Sequence, residues 1–125
     1  MAEDLIQIEW QGPIAICRLN RPPANAISLA FAERMDVVFA DLLASGDPGA
    51  VVLTGAGSFF SGGLDLKTVP GYGPEEQRAL VDTVNGMIAK LYGCPVPVVA
   101  AVNGHAIAGG LILALTSDYR VGTRA

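Results

Sequence analysis

Two glycine-rich turns carry the residues of this sequence that are best suited to chemistry. The first spans residues 60–66 after the apolar run 51–54, and the second spans residues 103–110 after the apolar run 98–102. Glycine lets backbone N–H groups approach a ligand closely, and a helix that begins there adds partial positive charge. Two such N–H groups aimed at one oxygen form an oxyanion hole, in which each donor contributes about 3 kcal/mol to the transition state. The same glycines could instead serve only as tight strand-to-helix turns, and the pattern alone leaves both interpretations open.

Other chemistries fit these turns less well. Gly55 and Gly57 follow a strand and suggest a dinucleotide fingerprint, but its third glycine would fall at Phe60. Ser61, with His105 and Asp65, suggests a hydrolase triad, yet no Gly-x-Ser-x-Gly elbow surrounds the serine.

Two of these side chains have simpler interpretations. We expect His105 to be a turn residue that lines or packs near the site. Asp65 could act as a base, but an acid just after a glycine turn more often caps a helix start, and we favour that role.

Composition and charge exclude several classes of protein. The 125 residues correspond to one domain or part of one, with 51% hydrophobic residues, 16% charged residues and a net charge of −4. No basic cluster is present, so we expect no nucleic-acid partner. Cys17 and Cys94 stand apart in apolar surroundings without metal-ligand spacing, which predicts two buried, reduced thiols and no metal site.

The stretch 96–117 contains no charged residue, yet it does not predict a membrane span. It contains Pro97 and a central cluster of turn-forming residues, which fit a buried strand, a turn and a buried helix better. The N-terminal residues lack the cationic start and apolar run of a signal peptide. We therefore expect a cytoplasmic or organelle-matrix protein that is neither secreted nor bound in a membrane.

The elements that position the two turns alternate between strand and helix. Ser28 is the expected N-cap of the first helix, and Pro74 opens the second, which Gly93 and Pro95 stop. The strand at 50–54 is wholly apolar, so burial on both faces is expected. The predicted strands are 5–10, 14–19, 50–54, 96–102 and one that begins at 118, and the predicted helices are 29–44, 74–92 and 109–116. This order predicts an α/β fold with a largely parallel sheet, in which the first two strands form a hairpin and 55–74 is a loop.

Three separated motifs resemble those of the crotonase (enoyl-CoA hydratase/isomerase) superfamily. They are Arg-Pro-Pro-Ala-Asn-Ala at 21–26, Phe-Ser-Gly-Gly-Leu-Asp-Leu-Lys at 60–67, and Asn-Gly-His-Ala-Ile-Ala-Gly-Gly at 103–110. The resemblance covers nearly the whole chain. It implies a crotonase-like spiral of ββα turns, of which residues 1–125 would be the N-terminal portion, with the C-terminal half absent.

The same resemblance implies the site. It places the oxyanion-hole N–H groups at Leu64 and Gly109. It implies that coenzyme A, as part of an acyl-CoA substrate and not as a permanently bound cofactor, contacts two segments of the chain. Their residues are Ala24, Asn25, Ala26, Ser61, Gly62, Gly63, Asp65, Leu66 and Lys67. For Lys67, a contact with a CoA phosphate and an ordinary solvated surface position are both open.

Ile112 stands where the resemblance would put the first glutamate of a hydratase. An isoleucine cannot transfer a proton, which argues against addition of water, whereas moving a double bond can use a single carboxylate base. Residues 60–66 and 114–120 also resemble the mitochondrial-type Δ3,Δ2-enoyl-CoA isomerases, which too carry an apolar residue at this position. The leading hypothesis is thus an enoyl-CoA isomerase whose catalytic base lies beyond Ala125.

Two alternatives remain open, a hydratase or other crotonase reaction and a non-catalytic acyl-CoA-binding fragment. The resemblance also implies a homo-oligomer, a trimer or hexamer, for the full-length protein.

Overall fold

The computed structural model describes residues 5–124 as one mixed α/β unit. A short 3-10 helix, Val69–Gly71, precedes the second α-helix. The strands are β1 Ile6–Gln11, β2 Ile14–Leu19, β3 Ala50–Gly55, β4 Phe59–Ser61, β5 Val98–Val102, β6 His105–Ala106 and β7 Tyr119–Gly122, and the helices are α1 Leu29–Ser45, α2 Pro74–Tyr92 and α3 Gly109–Thr116.

The strands form two sheets. The larger has the order β1-β2-β3-β5-β7, in which β1 and β2 are antiparallel and all remaining neighbouring strands are parallel. The smaller pairs β4 with β6 in parallel. The hairpin and the predominantly parallel sheet were both predicted from the order of elements, because parallel neighbours need a long crossover such as α1 or α2.

The predicted helix ends are confirmed. Ser28 accepts a hydrogen bond at Oγ from the Phe31 N–H (3.2 Å). The helix α1 ends at Ser45 and is followed by Gly46, whose φ of 70° suits glycine. Pro74 begins α2 with Glu75 and Glu76 in its first turn. The strand predicted at 96–102 is wrong at its start, because β5 begins at Val98 and not at residue 96.

The core lies between α1, α2 and one face of the larger sheet. Phe31 and Met35 of α1 pack in one cluster with Cys17, Leu53 and Val98 of the strands, and all five are fully buried. Burial of each large apolar side chain stabilises the fold by about 1.5–3 kcal/mol. This packing fixes β3 and β5, whose carboxyl ends lead into the glycine-rich turns.

The opposite face of the sheet differs from expectation. Burial along β3 alternates strictly, with Val51 and Leu53 buried and Val52 and Thr54 only half-buried. The prediction that this strand is buried on both faces is therefore wrong. The apolar sequence of a strand does not show whether both of its faces are covered. In the described part of the chain, only one face of β3 is.

The expected loop at 55–74 also contains a strand. β4 has three residues and β6 has two, so neither is long enough to show a period-2 pattern in the sequence. Their pairing matters because it brings the two glycine-rich turns together. No helix among residues 5–124 is long and apolar enough to cross a membrane.

Candidate functional site: paired backbone donors

The first glycine-rich turn leads out of β4 and is held against residue 27. The Ile27 N–H donates to the Gly63 carbonyl (2.7 Å), and the Asp65 N–H donates to the Ile27 carbonyl (2.9 Å). In such a parallel bridge the residue between the two bonded groups directs its own N–H away from the partner strand. The Leu64 N–H therefore faces away from Ile27.

The second turn ends at Gly109, the first residue of α3. A first helical N–H has no acceptor inside its own helix. The preceding residue, Ala108, has φ 50° and ψ −115°, a conformation that alanine rarely adopts. Strained backbone of this kind is concentrated at functional sites, where the surrounding structure enforces it.

The two turns meet at a single gap. A Cβ built on Gly63 would lie 3.0 Å from the Gly109 nitrogen, and one built on Gly109 would lie 3.9 Å from the Leu64 nitrogen. Within residues 5–124, neither the Leu64 nor the Gly109 N–H donates to a protein acceptor. The structure thus brings together the two residues that the resemblance named, as neighbouring backbone donors that are free to bind an oxygen.

A groove of about 470 Å³ opens beside Leu64, and we call it the loop groove. It lies between residues 21–26 and residues 62–67, with Phe59 and Ile107 at its apolar side. Its lining includes seven of the residues predicted for the site, namely Ala24, Ala26, Gly62, Leu64, Asp65, Leu66 and Lys67. Leu66 and Lys67 are exposed, so both side chains are accessible to a ligand in the groove.

Asn25 and Ser61 do not line the loop groove, and both side chains are fully buried. The Asn25 amide donates to the carbonyls of Ala56, Phe59 and Phe60 (3.0–3.2 Å). Its Oδ1 accepts from the Arg21 N–H (2.8 Å). These side chains are closed to a ligand, and they act on the site through the loop backbone that they hold.

Asp65 caps the turn at 66–68 and not a helix start, because the residue that precedes the 3-10 helix is Thr68; it also forms an ion pair that the sequence did not reveal. Its Oδ1 accepts from the N–H groups of Lys67 and Thr68, and its Oδ2 accepts from the Thr68 hydroxyl and from Arg21 (2.8 and 2.9 Å). These bonds, the Thr68 hydroxyl first, lower the pKa of Asp65 to about 2. A carboxylate held in this way is a poor proton acceptor at neutral pH.

The alternatives suggested by the sequence find little support in the geometry. The Ser61 hydroxyl donates to the Asn25 carbonyl (2.8 Å) and not to His105, whose ring packs on Phe59 with centroids 4.8 Å apart. A dinucleotide fold would need a helix directly after Gly57, but β4 follows instead.

The cysteines and potential metal ligands add no further site. Cys17 is fully buried, and burial raises the pKa of its thiol to about 12. Cys94 is half-buried, so the prediction that both thiols are buried is wrong for it. Among the described residues, no three potential ligands lie close enough to hold a metal ion.

Asn103 has a structural role that was not predicted from the sequence. Its Oδ1 accepts from the Gly55 N–H (2.9 Å), and its Nδ2 donates to the carbonyls of Gly57 and Phe59 (3.0 and 3.1 Å). The asparagine that opens the second turn thus braces the segment that leads to the first. Its place at a strand end before glycine is typical of side chains that bond to backbone, but the distant acceptors are not encoded locally.

Comparison with known proteins gives one consistent family. A family model described as enoyl-CoA hydratase/isomerase matches residues 9–125. A probable enoyl-CoA hydratase of Rhodobacter capsulatus is 35% identical over 119 residues, which are 94% of this chain and 46% of the relative. The mitochondrial enoyl-CoA delta isomerase 1 of Rattus norvegicus is 31% identical over 118 residues, 94% of this chain and 41% of the relative.

Solved structures give the same result for the fold. The crystal structure of an enoyl-CoA hydratase from Bacillus anthracis superposes with a TM-score of 0.88 at 32% identity, covering 94% of this chain and 47% of that one. Pseudomonas aeruginosa DspI gives a TM-score of 0.89 at 30% identity, covering 96% and 50%. These matches confirm the predicted crotonase-like α/β fold. The chain spans about half the length of the curated relatives that it matches.

Proposed function

The chain belongs to the enoyl-CoA hydratase/isomerase family, and on that premise we propose that it forms the thioester-binding part of an enoyl-CoA isomerase. The thioester oxygen of a 3-enoyl-CoA accepts hydrogen bonds from the Leu64 and Gly109 N–H groups. The observation that supports this most directly is the pair of unbonded N–H groups at one gap. Donors fixed in advance stabilise developing negative charge without having to reorganise.

In the proposed reaction one base is sufficient. A carboxylate from outside these 125 residues takes a proton from C2. The electron pair left at C2 delocalises onto the thioester oxygen and, through the C3–C4 double bond, reaches C4. The resulting dienolate takes the same proton back at C4, which leaves the double bond between C2 and C3. No atom is gained or lost, so no water and no second acid are required.

Asp65 is not the base in this scheme. Its four hydrogen-bond donors and its pKa of about 2 leave it ionised but weakly basic. Its place in the loop groove fits a different role, which is to shape the backbone that contacts CoA. Lys67, exposed in the same groove, is the candidate partner for a CoA phosphate.

Ile112 favours isomerisation over hydration. It lies three residues after Gly109, on the same side of α3, and its side chain is 49% exposed. An aliphatic group there cannot orient or deprotonate water. Of the relatives compared above, one is named a hydratase and the other a delta isomerase, so the relatives' names alone do not decide the reaction.

Turnover of two substrates tests the proposal in the protein at its full natural length, established by intact mass. We expect conversion of a 3-enoyl-CoA to the 2-enoyl-CoA, with water addition to the 2-enoyl-CoA slower by about a hundredfold or more. Faster hydration than isomerisation would overturn the assignment in favour of a hydratase.

Acyl-CoA binding without either reaction would identify a non-catalytic binding unit. That outcome is worth testing because α3 and β7 expose apolar side chains, which suit assembly with another polypeptide. They are Leu111, Ile112, Leu115, Tyr119 and Val121. Native mass spectrometry of the same sample tests the proposed trimer or hexamer.

A further inference from the structure

Ser61 is the residue that touches both glycine-rich turns. It ends β4 and is fully buried, and its hydroxyl accepts from the Gly63 N–H (3.2 Å) while donating to the Asn25 carbonyl (2.8 Å). Gly63 immediately precedes Leu64. The hydroxyl thus fixes the peptide next to the first donor.

The main chain of Ser61 fixes the second turn. Its carbonyl accepts from the Ile107 N–H (3.0 Å), two residues before Gly109. A Cβ built on Gly110 would lie only 2.0 Å from the same carbonyl oxygen, so α3 begins in direct contact with Ser61. One residue therefore sets how far apart the two turns lie.

We propose that Ser61 is a positioning residue that sets the spacing of the Leu64 and Gly109 N–H groups, and hence how strongly they polarise a bound thioester. This inference rests on the proposed function, because it needs both donors to bind one oxygen. Ser61 does not bind the substrate directly, because its side chain is fully buried and does not line the loop groove. Because a donor displaced by about 1 Å can lower turnover about a hundredfold, small shifts at Gly63 are sufficient.

The test compares Ser61→Ala with Ser117→Ala in the protein at its full natural length. Ser117 is a matched control, because it is also buried (6% exposed) and its hydroxyl donates to the Leu113 carbonyl (3.3 Å) away from the gap. Both variants lose one buried hydroxyl, but Ser61→Ala removes two hydrogen bonds and Ser117→Ala removes one, so we expect a larger loss of stability in Ser61→Ala. Only Ser61→Ala removes the acceptor of the Gly63 N–H.

The decisive readout is the carbonyl stretching frequency of bound butyryl-CoA, measured by isotope-edited infrared difference spectroscopy. In the unsubstituted protein and in Ser117→Ala, binding lowers the frequency because two N–H groups polarise the carbonyl. In Ser61→Ala we expect that shift to fall by about half or more and turnover to fall about ten- to a hundredfold, while butyryl-CoA affinity changes less than about threefold.

The outcomes separate this inference from the proposed function. No frequency shift in the unsubstituted protein would overturn the paired-donor site itself. A full shift in Ser61→Ala, or an equal reduction in Ser117→Ala, would overturn the role of Ser61 alone. If Ser61→Ala does not fold, Ser61→Cys retains a weak donor and acceptor at the same position, and we expect an intermediate shift. An unchanged shift there would equally overturn the proposal.

Discussion

The turns at Leu64 and Gly109 end at the same gap but are held in different ways. Around Leu64, the side chains of Asn25, Ser61 and Asp65 bond to the backbone and hold the turn by polar contacts. Around Gly109, the described residues 105–111 receive no side-chain hydrogen bond. That turn is held by backbone bonds, by close contact at Gly110 and by the strained conformation of Ala108.

The difference determines what each turn tolerates. A turn held by side-chain hydrogen bonds is sensitive to loss of polar atoms, since each buried group left without a partner costs about 1–3 kcal/mol. A turn held by close packing is sensitive to added volume, even one methyl group. Substitutions that remove polar atoms should therefore act mainly on the first turn. Added volume should act on the second turn and, within the first, at Gly63, whose Cβ would meet the Ile107 carbonyl oxygen at 2.8 Å.

The largest effect is expected from added volume at Gly110. In Gly110→Ala the new Cβ would lie 2.0 Å from the Ser61 carbonyl oxygen and 2.7 Å from its carbon, both backbone atoms that cannot rotate away. We expect the free energy of unfolding in urea to fall by about 3 kcal/mol or more. Gly71→Ala is the control, because nothing lies within 4 Å of its Cβ position. Equal stability of the two variants would contradict the close-packing account.

The next effect isolates the second donor. Gly109→Pro removes its N–H, whereas Gly109→Ala keeps it and places a Cβ at ordinary contact distances of 3.5–3.9 Å. We expect turnover of the proline variant to fall about 100- to 1000-fold and that of the alanine variant to change far less. Steady-state kinetics with thermal melting as a check on folding give the comparison. Unchanged turnover in a folded proline variant would remove Gly109 from the site.

A smaller, pH-dependent effect is expected at the polar turn. Because the pKa of Asp65 is lowered to about 2, its contribution to stability is complete above about pH 4 and is lost as the pH falls through 2. The stability difference between the unsubstituted protein and Asp65→Asn should therefore shrink as the pH falls from about 4 to about 2.5 in urea titrations. Thr68→Val removes the hydroxyl that lowers the pKa of Asp65 most, and it should show a weaker form of the same trend. A difference independent of pH would contradict the ion-pair account.

The smallest effect is expected from relief of strain at Ala108. Glycine adopts positive φ without penalty, so Ala108→Gly should raise the free energy of unfolding by up to about 1 kcal/mol after its greater chain entropy is counted. Ala30→Gly, on an exposed position of α1, should lower it by about 0.5–1 kcal/mol. Chemical unfolding of both variants measures the sign of each change in the free energy of unfolding. A loss of stability at both positions would show that Ala108 is not strained.

The sequence predicted the features that depend on local chemistry. Ser28, Pro74 and Gly93 mark helix ends by capping and ring geometry, and the motif resemblance located Leu64 and Gly109. Neither β4 nor β6 was predicted, because two or three residues carry no periodic pattern.

The roles of buried polar residues were also beyond the sequence. Asn25 and Ser61 look like loop residues available to a ligand, and only the fold shows that their partners are distant backbone groups. Asn103 and the Arg21–Asp65 pair were missed for the same reason. The turn at Leu64 was therefore harder to predict than the turn at Gly109. At Gly109 the paired glycines themselves indicate close packing.

The pairing of β4 with β6 has a consequence for how the protein folds. Phe59 pairs with His105, and the two are far apart in sequence with the whole of α2 between them. Contacts between distant segments must overcome loop-closure entropy, and they are made late relative to local helices. The gap between Leu64 and Gly109 can exist only after that pairing forms. In a refolding experiment, we therefore expect acyl-CoA binding to return with the slowest phase, after helical circular dichroism has recovered.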